Sequence, residues 1–207
     1  MVLQRSSRTA SFNDPPPDLG TSDAVLVAQA KHGDSAAFAL LYRRYVDRIY
    51  AFAARRLANR GAAEEATQEI FMRALAGLSR CREENAFAGW IFAIARNVLH
   101  EHYRSVRHTG GLYPESYDAQ DPDPTPEERA VRIEAASELL AARERCLRAK
   151  DQELFDLLLA DLTDAEIAVA LGRRPGAVRT AHWRLLTRLR DCLGVQGSAK
   201  GGRDVAL

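Results

Sequence analysis

Residues 163–190 read TDAEIAVALGRRPGAVRTAHWRLLTRLR, and the reading of this stretch decides the fold class. Thr163 is placed to cap a helix, Glu166 three residues later completes a capping box, and Ile167, Ala170 and Leu171 fall on one stripe. Gly172 ends that helix. Pro175 suits the first turn of a second, where its missing N–H is not needed, and Val178, Leu185, Leu186 and Leu189 are predicted to return to a core. Around them stand Arg173, Arg174, Arg179, His182, Arg184, Arg188 and Arg190, with no acid between Gly172 and Arg190. Two short helices joined tightly, the second with its cations outward, form a helix-turn-helix suited to a phosphate backbone and a major groove. The competing reading is an ordinary amphipathic helix with a solvated basic face.

Working outward, the chain of 207 residues has room for one domain or two small ones. Its formal net charge of +1 hides a segregation, because Glu115, Asp118, Asp121, Asp123, Glu127 and Glu128 follow one another without an intervening Lys or Arg. Local charge, not the total, is what a polyanionic partner would feel. Cys81, Cys146 and Cys192 show no Cys-x-x-Cys or zinc spacing, so free thiols in a reducing compartment are expected. Residues 1–20 contain no apolar run resembling a signal peptide, and no stretch approaches a membrane span. The expectation is a soluble, cytoplasmic protein.

Taken in order, residues 1–21 carry three successive prolines and few apolar anchors, which reads as a disordered arm. A helix begins near Ser22 or Asp23 with Val25, Leu26 and Ala30, and Gly33 breaks it. From Asp34, the spacing of Phe38, Leu41, Tyr42, Tyr45, Ile49, Phe52 and Leu57 predicts one long helix ending near Asn59 to Gly61. A third helix, from about 62 to 78, turns Ala66, Ile70, Ala74 and Leu78 inward. Glu65 and Glu69, four apart, share its outer face with Gln68 and repel unless cations are supplied. Phe71 and Met72 beside them fit either a core or an apolar patch meant for another protein.

A fourth helix, from about 86 to 104, follows the polar connection 79–85. Phe87, Ile91, Ile94, Ala95, Val98 and Leu99 fill its buried side. Trp90, Arg96, Asn97, His100, Tyr103 and Arg104 interleave rings with cations, a pattern that fits single-stranded nucleic acid, although two aromatics alone also fit a core. Residues 108–126, HTGGLYPESYDAQDPDPTP, keep no helical or strand period and read as an acidic, flexible linker spanning at most about 60 Å. Helix resumes from about 127 to 150 with a break near its middle, then 152–159. Residues 194–207 are small and polar and read as a flexible tail. The sum is an all-α protein of two helical domains joined by an acidic flexible linker, the C-terminal one containing the helix-turn-helix.

His100, Glu101 and His102 are adjacent or alternate, so on a helix they point in different directions, unlike a ligand pair four apart. With no closed ligand set and no activated nucleophile, the chain reads as a non-enzyme with no metal and no cofactor.

Three passages carry a resemblance: EEATQEIFMRAL at 64–75, FAGWIFAIARNVLHEHYR at 87–104, and LTDAEIAVALGRRPGAVRTAHWRLLTRLR at 162–190. Their order resembles bacterial RNA polymerase sigma factors of the extracytoplasmic-function (ECF) group of the sigma-70 family, and the IARN run after F-x-x-W is the more specific part. The resemblance implies a sigma factor that directs core polymerase to specific promoters and initiates transcription. It makes residues 22–107 a region 2-like domain, which binds core polymerase and recognises and melts the −10 element. Residues 127–193 become a region 4-like domain that reads the −35 duplex.

By position, the resemblance puts Glu65, Gln68, Glu69 and Phe71 on the polymerase-binding surface, toward the β′ clamp helices, with the β subunit a further contact. Trp90, Arg96, Asn97 and Arg104 fall to −10 DNA and melting, and Arg173, Arg174, Arg179, Thr180 and Arg184 to −35 DNA. It also implies an anti-sigma protein as a regulatory partner. Ala66, Ala181 and Trp183 depart from the family's usual residues. The alternative from the residues alone is a helix-turn-helix DNA-binding regulator that does not engage core polymerase.

Overall fold

A computed structural model describes residues 20–57, 59–81, 86–109 and 138–194, with side chains as far as Arg104 in the third segment. The arm before residue 20, residues 82–85 of the polar connection, the linker from residue 110 and the tail from residue 195 lie outside the described residues. The described residues form two helical clusters. The first holds α1 (Asp23–Lys31), α2 (Ser35–Ala54), α3 (Arg60–Gly77), a 3-10 turn (Leu78–Arg80) and α4 (Phe87–Thr109). The second holds α5 (138–146), α6 (Ala149–Leu159), α7 (Asp164–Leu171) and α8 (Pro175–Cys192).

Local chemistry sets the helix starts. Ser22, Asp34 and Asn59 each accept an orphan backbone N–H at the head of α1, α2 and α3, a cap worth about 1 kcal/mol. Asn59 therefore begins a helix, where the sequence pattern suggested it ends one. The long helix predicted to continue to residue 59 stops at Ala54, because Leu57 is buried by a turn and not by a further helical stripe.

The first core is built from Leu41, Ile49 and Phe52 of α2, Ala63, Ala66, Ile70 and Ala74 of α3, and Phe87, Ile91, Phe92, Ala95, Val98 and Leu99 of α4. Tyr45 meets Phe87 and Phe52 meets Phe92 edge to face, each with centroids 5.2 Å apart. The alanines of α3 let its neighbours approach closely, which accounts for Ala66 in place of a larger side chain. Burial pushes the Tyr45 hydroxyl pKa up, and its hydrogen bond to Asp23 adds to this.

In the second cluster the capping box forms as predicted: Glu166 N–H donates to Thr163 Oγ1 and Thr163 N–H donates to the Glu166 carboxylate at 2.7 Å. Gly172 takes the left-handed conformation (φ 61°) that closes α7, and Pro175 opens α8. Val178, Leu185 and Leu189 are buried as expected, but Leu186 is 46% exposed, since α8 presents only a narrow stripe inward. Val25 and Tyr42 also stand partly outside the core. The break expected near the middle of residues 127–150 falls at the edge of the described residues; α5 and α6 are parted instead at Leu147 and Arg148, and α6 runs unbroken through residues 150–152.

The expectation of three free thiols is corrected. Cys146 and Cys192, 46 residues apart in sequence, form a disulfide with Cα atoms 6.0 Å apart, while Cys81 is buried in the first core. Sequence spacing hides the pair because it is the return of α8 toward α5 that brings the two helix ends together. In the loop-closure model a ring of this size contributes about 4 kcal/mol.

The two clusters share a seam. Asp156 of α6 is fully buried and receives Arg56 Nε at 2.9 Å from the first cluster and Arg143 Nε at 2.8 Å from α5. Arg48 donates to the carbonyls of Ala160 (2.7 Å) and Asp161 (2.9 Å), and Arg55 to the carbonyl of Asp156 at 3.1 Å. Asp161 holds the left-handed conformation at φ 57°, which turns the chain from α6 toward α7. At the centre of the seam α4 crosses α7 at Gly89. A Cβ there would stand 2.5 Å from the Glu166 carbonyl oxygen and 2.7 Å from Val169 Cβ.

Candidate functional site

Three surfaces carry the residues singled out from the sequence. On α3, Glu65 and Gln68 are exposed and Glu69 is half-exposed. The predicted repulsion between Glu65 and Glu69 is relieved from within the chain. Arg73 donates to both Glu69 and Glu101 at 2.6 Å, and the Arg73 hydrogen bond holds the Glu101 carboxyl below its ordinary pKa range. Phe71 is buried at 5% exposure against Tyr42, ring centroids 4.6 Å apart. The apolar members of the outer stripe are instead Met72 (72% exposed) and Leu75 (56%). They lie seven and ten residues beyond Glu65, on its side of the helix. Leu75 was legible only as one more leucine of an amphipathic helix.

On α4, the four residues predicted together divide. Trp90 is half-buried, packed on Phe87 with centroids 5.8 Å apart and close to Gly77, so its ring helps hold α4 to α3. Asn97 and Arg104 face solvent. Arg96 faces the second cluster, with Nε 2.6 Å from Glu153 Oε1 and Nη1 donating to the Ala170 carbonyl at 3.1 Å. His100 stands 3.7 Å from the same carboxylate, and burial lowers its pKa despite Glu153. Of the two arginines that the sequence offers to nucleic acid on α4, Arg96 is thus engaged in the seam and Arg104 is not.

On α8 and the residues leading into it, Arg173, Arg174, Arg179, Thr180 and Arg184 are all exposed. The Thr180 hydroxyl donates back to the Gly176 carbonyl at 3.0 Å, leaving its lone pairs outward. His182 Nδ1 lies 2.8 Å from Asp164 and Arg188 pairs with Asp151, so these two side chains tie α8 to its own cluster. Trp183, 68% exposed, sits among the basic residues. The outcome is an exposed basic face running to Arg190, with the Trp183 ring in it, while one side of α4 is covered by α7. Arg48, Arg56, Glu153 and Asp156 were not singled out by sequence reasoning, because isolated charges in amphipathic helices read as solvated.

Residues 41–109 match the family model for sigma-70 region 2, which spans α2 from Leu41 through the end of α4. The ECF RNA polymerase sigma factor BldN of Streptomyces coelicolor is 32% identical over 79% of this chain and 63% of its own length. SigE of Mycolicibacterium smegmatis, also an ECF sigma factor, is 30% identical over 88% of this chain and 72% of its length. The RNA polymerase sigma factor YlaC of Bacillus subtilis is 30% identical over 77% of this chain and 92% of its length. Among solved structures, CnrH in complex with the cytosolic domain of CnrY superposes with a TM-score of 0.62 at 22% identity, covering 86% of this chain and 100% of that one. At that identity the superposition speaks for the fold. The chain belongs to the ECF group of sigma-70 family RNA polymerase sigma factors. Members of this group are transcription initiation factors and not enzymes. Among the described residues no helix is long and apolar enough to cross a membrane.

Proposed function

We propose that this chain is a dissociable promoter-specificity subunit working in the cytoplasm, with its labour divided between residues 22–107 and residues 127–193. The first part binds core polymerase and opens the −10 element; the second reads the −35 duplex through a helix-turn-helix made of α7 and α8; residues 108–126 act as the acidic tether. The observation that carries the reading is the exposed stripe of α3, in which Glu65, Gln68 and Glu69 border Met72 and Leu75. An acidic ridge beside exposed apolar side chains suits a partner with a basic rim and an apolar centre. We assign that partner as the β′ clamp helices, with the β subunit as a second contact.

Reversing the charge at Glu65 and Glu69 together is expected to weaken association with core polymerase on the order of tenfold or more, with helix content unchanged in circular dichroism. Unaltered affinity would remove the surface assignment. Phe71 supports the ridge from beneath through its contact with Tyr42.

For the upstream element, Arg173, Arg174, Arg179, Thr180 and Arg184 form the reading face. Phosphate contacts position the helix and a bidentate arginine on guanine adds about 1–3 kcal/mol of discrimination. Replacing Arg179 and Arg184 by alanine is expected to lower affinity for the upstream duplex. For every phosphate that an arginine no longer neutralises, the slope of log K against log salt should also flatten by about 0.9. An unchanged slope and affinity place the reader elsewhere. Trp90, Asn97 and Arg104 serve the −10 side, joined by Arg96 once it leaves Glu153.

Packing through the seam sets a condition on promoter binding. Promoter elements about 25 base pairs apart are separated by roughly 85 Å of B-form DNA at 3.4 Å per step. Two clusters packed through α4 and α7 cannot occupy both elements, so the chain must open on the promoter. An anti-sigma protein that favours the packed form is a fitting regulator. It is supported by the sigma factor RpoE of Bartonella quintana, a structure of this fold solved with the anti-sigma factor NepR. The deciding experiment is in vitro transcription with purified core polymerase across a randomised promoter library. Specific initiation with a recoverable two-element consensus supports the proposal. Duplex binding without initiation returns the chain to a DNA-binding regulator that does not engage core polymerase.

A further inference from the structure

The disulfide between Cys146 and Cys192 closes a covalent ring around α6, α7 and α8, and so around every residue of the basic reading face. Outside the ring's own bond, α8 is held by a narrow apolar stripe and by the His182 contact with Asp164. Its buried residues are Val178, Leu185 and Leu189, and near its far end stands the Arg188 pair with Asp151. The other end of the bond is Cys146, one turn beyond Arg143, which grips the buried Asp156. The bond therefore joins the tail of the basic helix to the anchor of its own cluster.

The two sulfurs differ in access. Cys192 is exposed, whereas Cys146 is partly buried against the core. A soluble dithiol therefore approaches from the Cys192 side. Both cysteines also lie at helix C-termini, where the partial negative charge of the helix disfavours a thiolate. Thiols that are not stabilised as thiolates leave the closed bond as the favoured form once the reductant is gone. In a compartment where thiols are kept reduced, the location assigned above, a disulfide of this kind is open to exchange and not inert.

We propose that Cys146 and Cys192 form a redox-switched staple on the DNA-reading cluster, oxidised for tight reading of the upstream duplex and loosened by reduction. The proposal rests on the assignment of α8 as the duplex reader. In the exchange, one thiolate of a dithiol attacks Cys192 Sγ, the bond to Cys146 breaks, and Cys146 leaves as a thiolate that takes up a proton. The second thiol of the reagent then displaces Cys192 from the mixed disulfide. Two electrons and two protons pass to the protein, and the dithiol ends as its own cyclic disulfide.

The test uses the full chain equilibrated across buffers of reduced and oxidised dithiothreitol. Thiols at positions 146 and 192 are trapped by alkylation and counted by mass. Affinity is read by fluorescence anisotropy on a duplex that the oxidised chain has selected from a randomised pool. Affinity is expected to fall on the order of tenfold on reduction, as a preorganised surface is lost, with a midpoint coinciding with the appearance of both thiols. A Cys192→Ser chain should sit at the reduced level in every buffer. Two results overturn the staple: a pair that stays reduced in the most oxidising buffer, or an affinity that is flat while the thiols titrate. If the oxidised chain selects no duplex at all, the assignment of α8 as reader falls and the staple falls with it, a failure told apart because the thiol titration is still visible.

Discussion

Replacing Asp156 by alanine is expected to destabilise the folded chain by about 3–5 kcal/mol, the cost typical of leaving buried cations without their counter-charge. Asp156 is fully buried, and its two oxygens receive Arg56 Nε at 2.9 Å and Arg143 at 2.8 and 2.9 Å. Arg56 also lies over the Phe52 ring at 4.3 Å, which fixes the guanidinium where it is. Both arginines are largely buried, Arg56 at 7% and Arg143 at 9% exposure, with Glu153 and Glu144 as their further carboxylate neighbours. Because one belongs to the first cluster and the other to α5, the loss is felt by both halves. Urea denaturation gives the measure, and a shift worth less than about 1 kcal/mol would mean that water or a neighbouring carboxylate has replaced the missing charge. Asp156→Asn, which keeps the shape and one acceptor, should fall between wild type and the alanine variant.

The second large effect is expected at Gly89. In the isolated first cluster, Gly89→Ala should help slightly, since alanine removes a glycine penalty of up to about 1 kcal/mol in a helix. In the packed chain the new Cβ meets the Glu166 carbonyl oxygen at 2.5 Å and Val169 Cβ at 2.7 Å, and a backbone oxygen cannot swing aside. Overpacking of this kind costs about 1–3 kcal/mol, which at about 1.4 kcal/mol per decade moves the packed-to-parted ratio by roughly five- to hundredfold. The variant should keep its helix content, expand in solution scattering, and bind promoter DNA more readily because Arg96 is released from Glu153 and Ala170. A variant as compact as wild type, or one that loses its helices together with its compactness, would show that the seam is not a hinge between stable halves.

The helices and the basic face were legible before the structure because each rests on local chemistry. Thr163 with Glu166, Gly172 with Pro175, and the spacing of Ile167 and Ala170 all act within a few residues, and all appear as read. Pairings across the chain were not legible. Arg48, Arg56 and Arg96 look like any solvated arginine on an amphipathic helix, and only the meeting of helices a hundred residues apart makes Arg56 and Asp156 one unit. The cysteines were misread for the same reason. Phe71 was offered as either core or patch, and its contact with Tyr42 places it mostly inside, passing the exposed role to Met72 and Leu75. Gly89 gave no signal because a glycine near a helix start has several ordinary explanations.

The seam between the clusters leans on main-chain oxygens. Arg48 addresses Ala160 and Asp161, Arg55 addresses Asp156, and Arg96 addresses Ala170, in each case through the carbonyl. A carbonyl is present whatever amino acid carries it. The rear half can therefore drift in its outward side chains, and with them its taste in promoters, without renegotiating its fit to the front half.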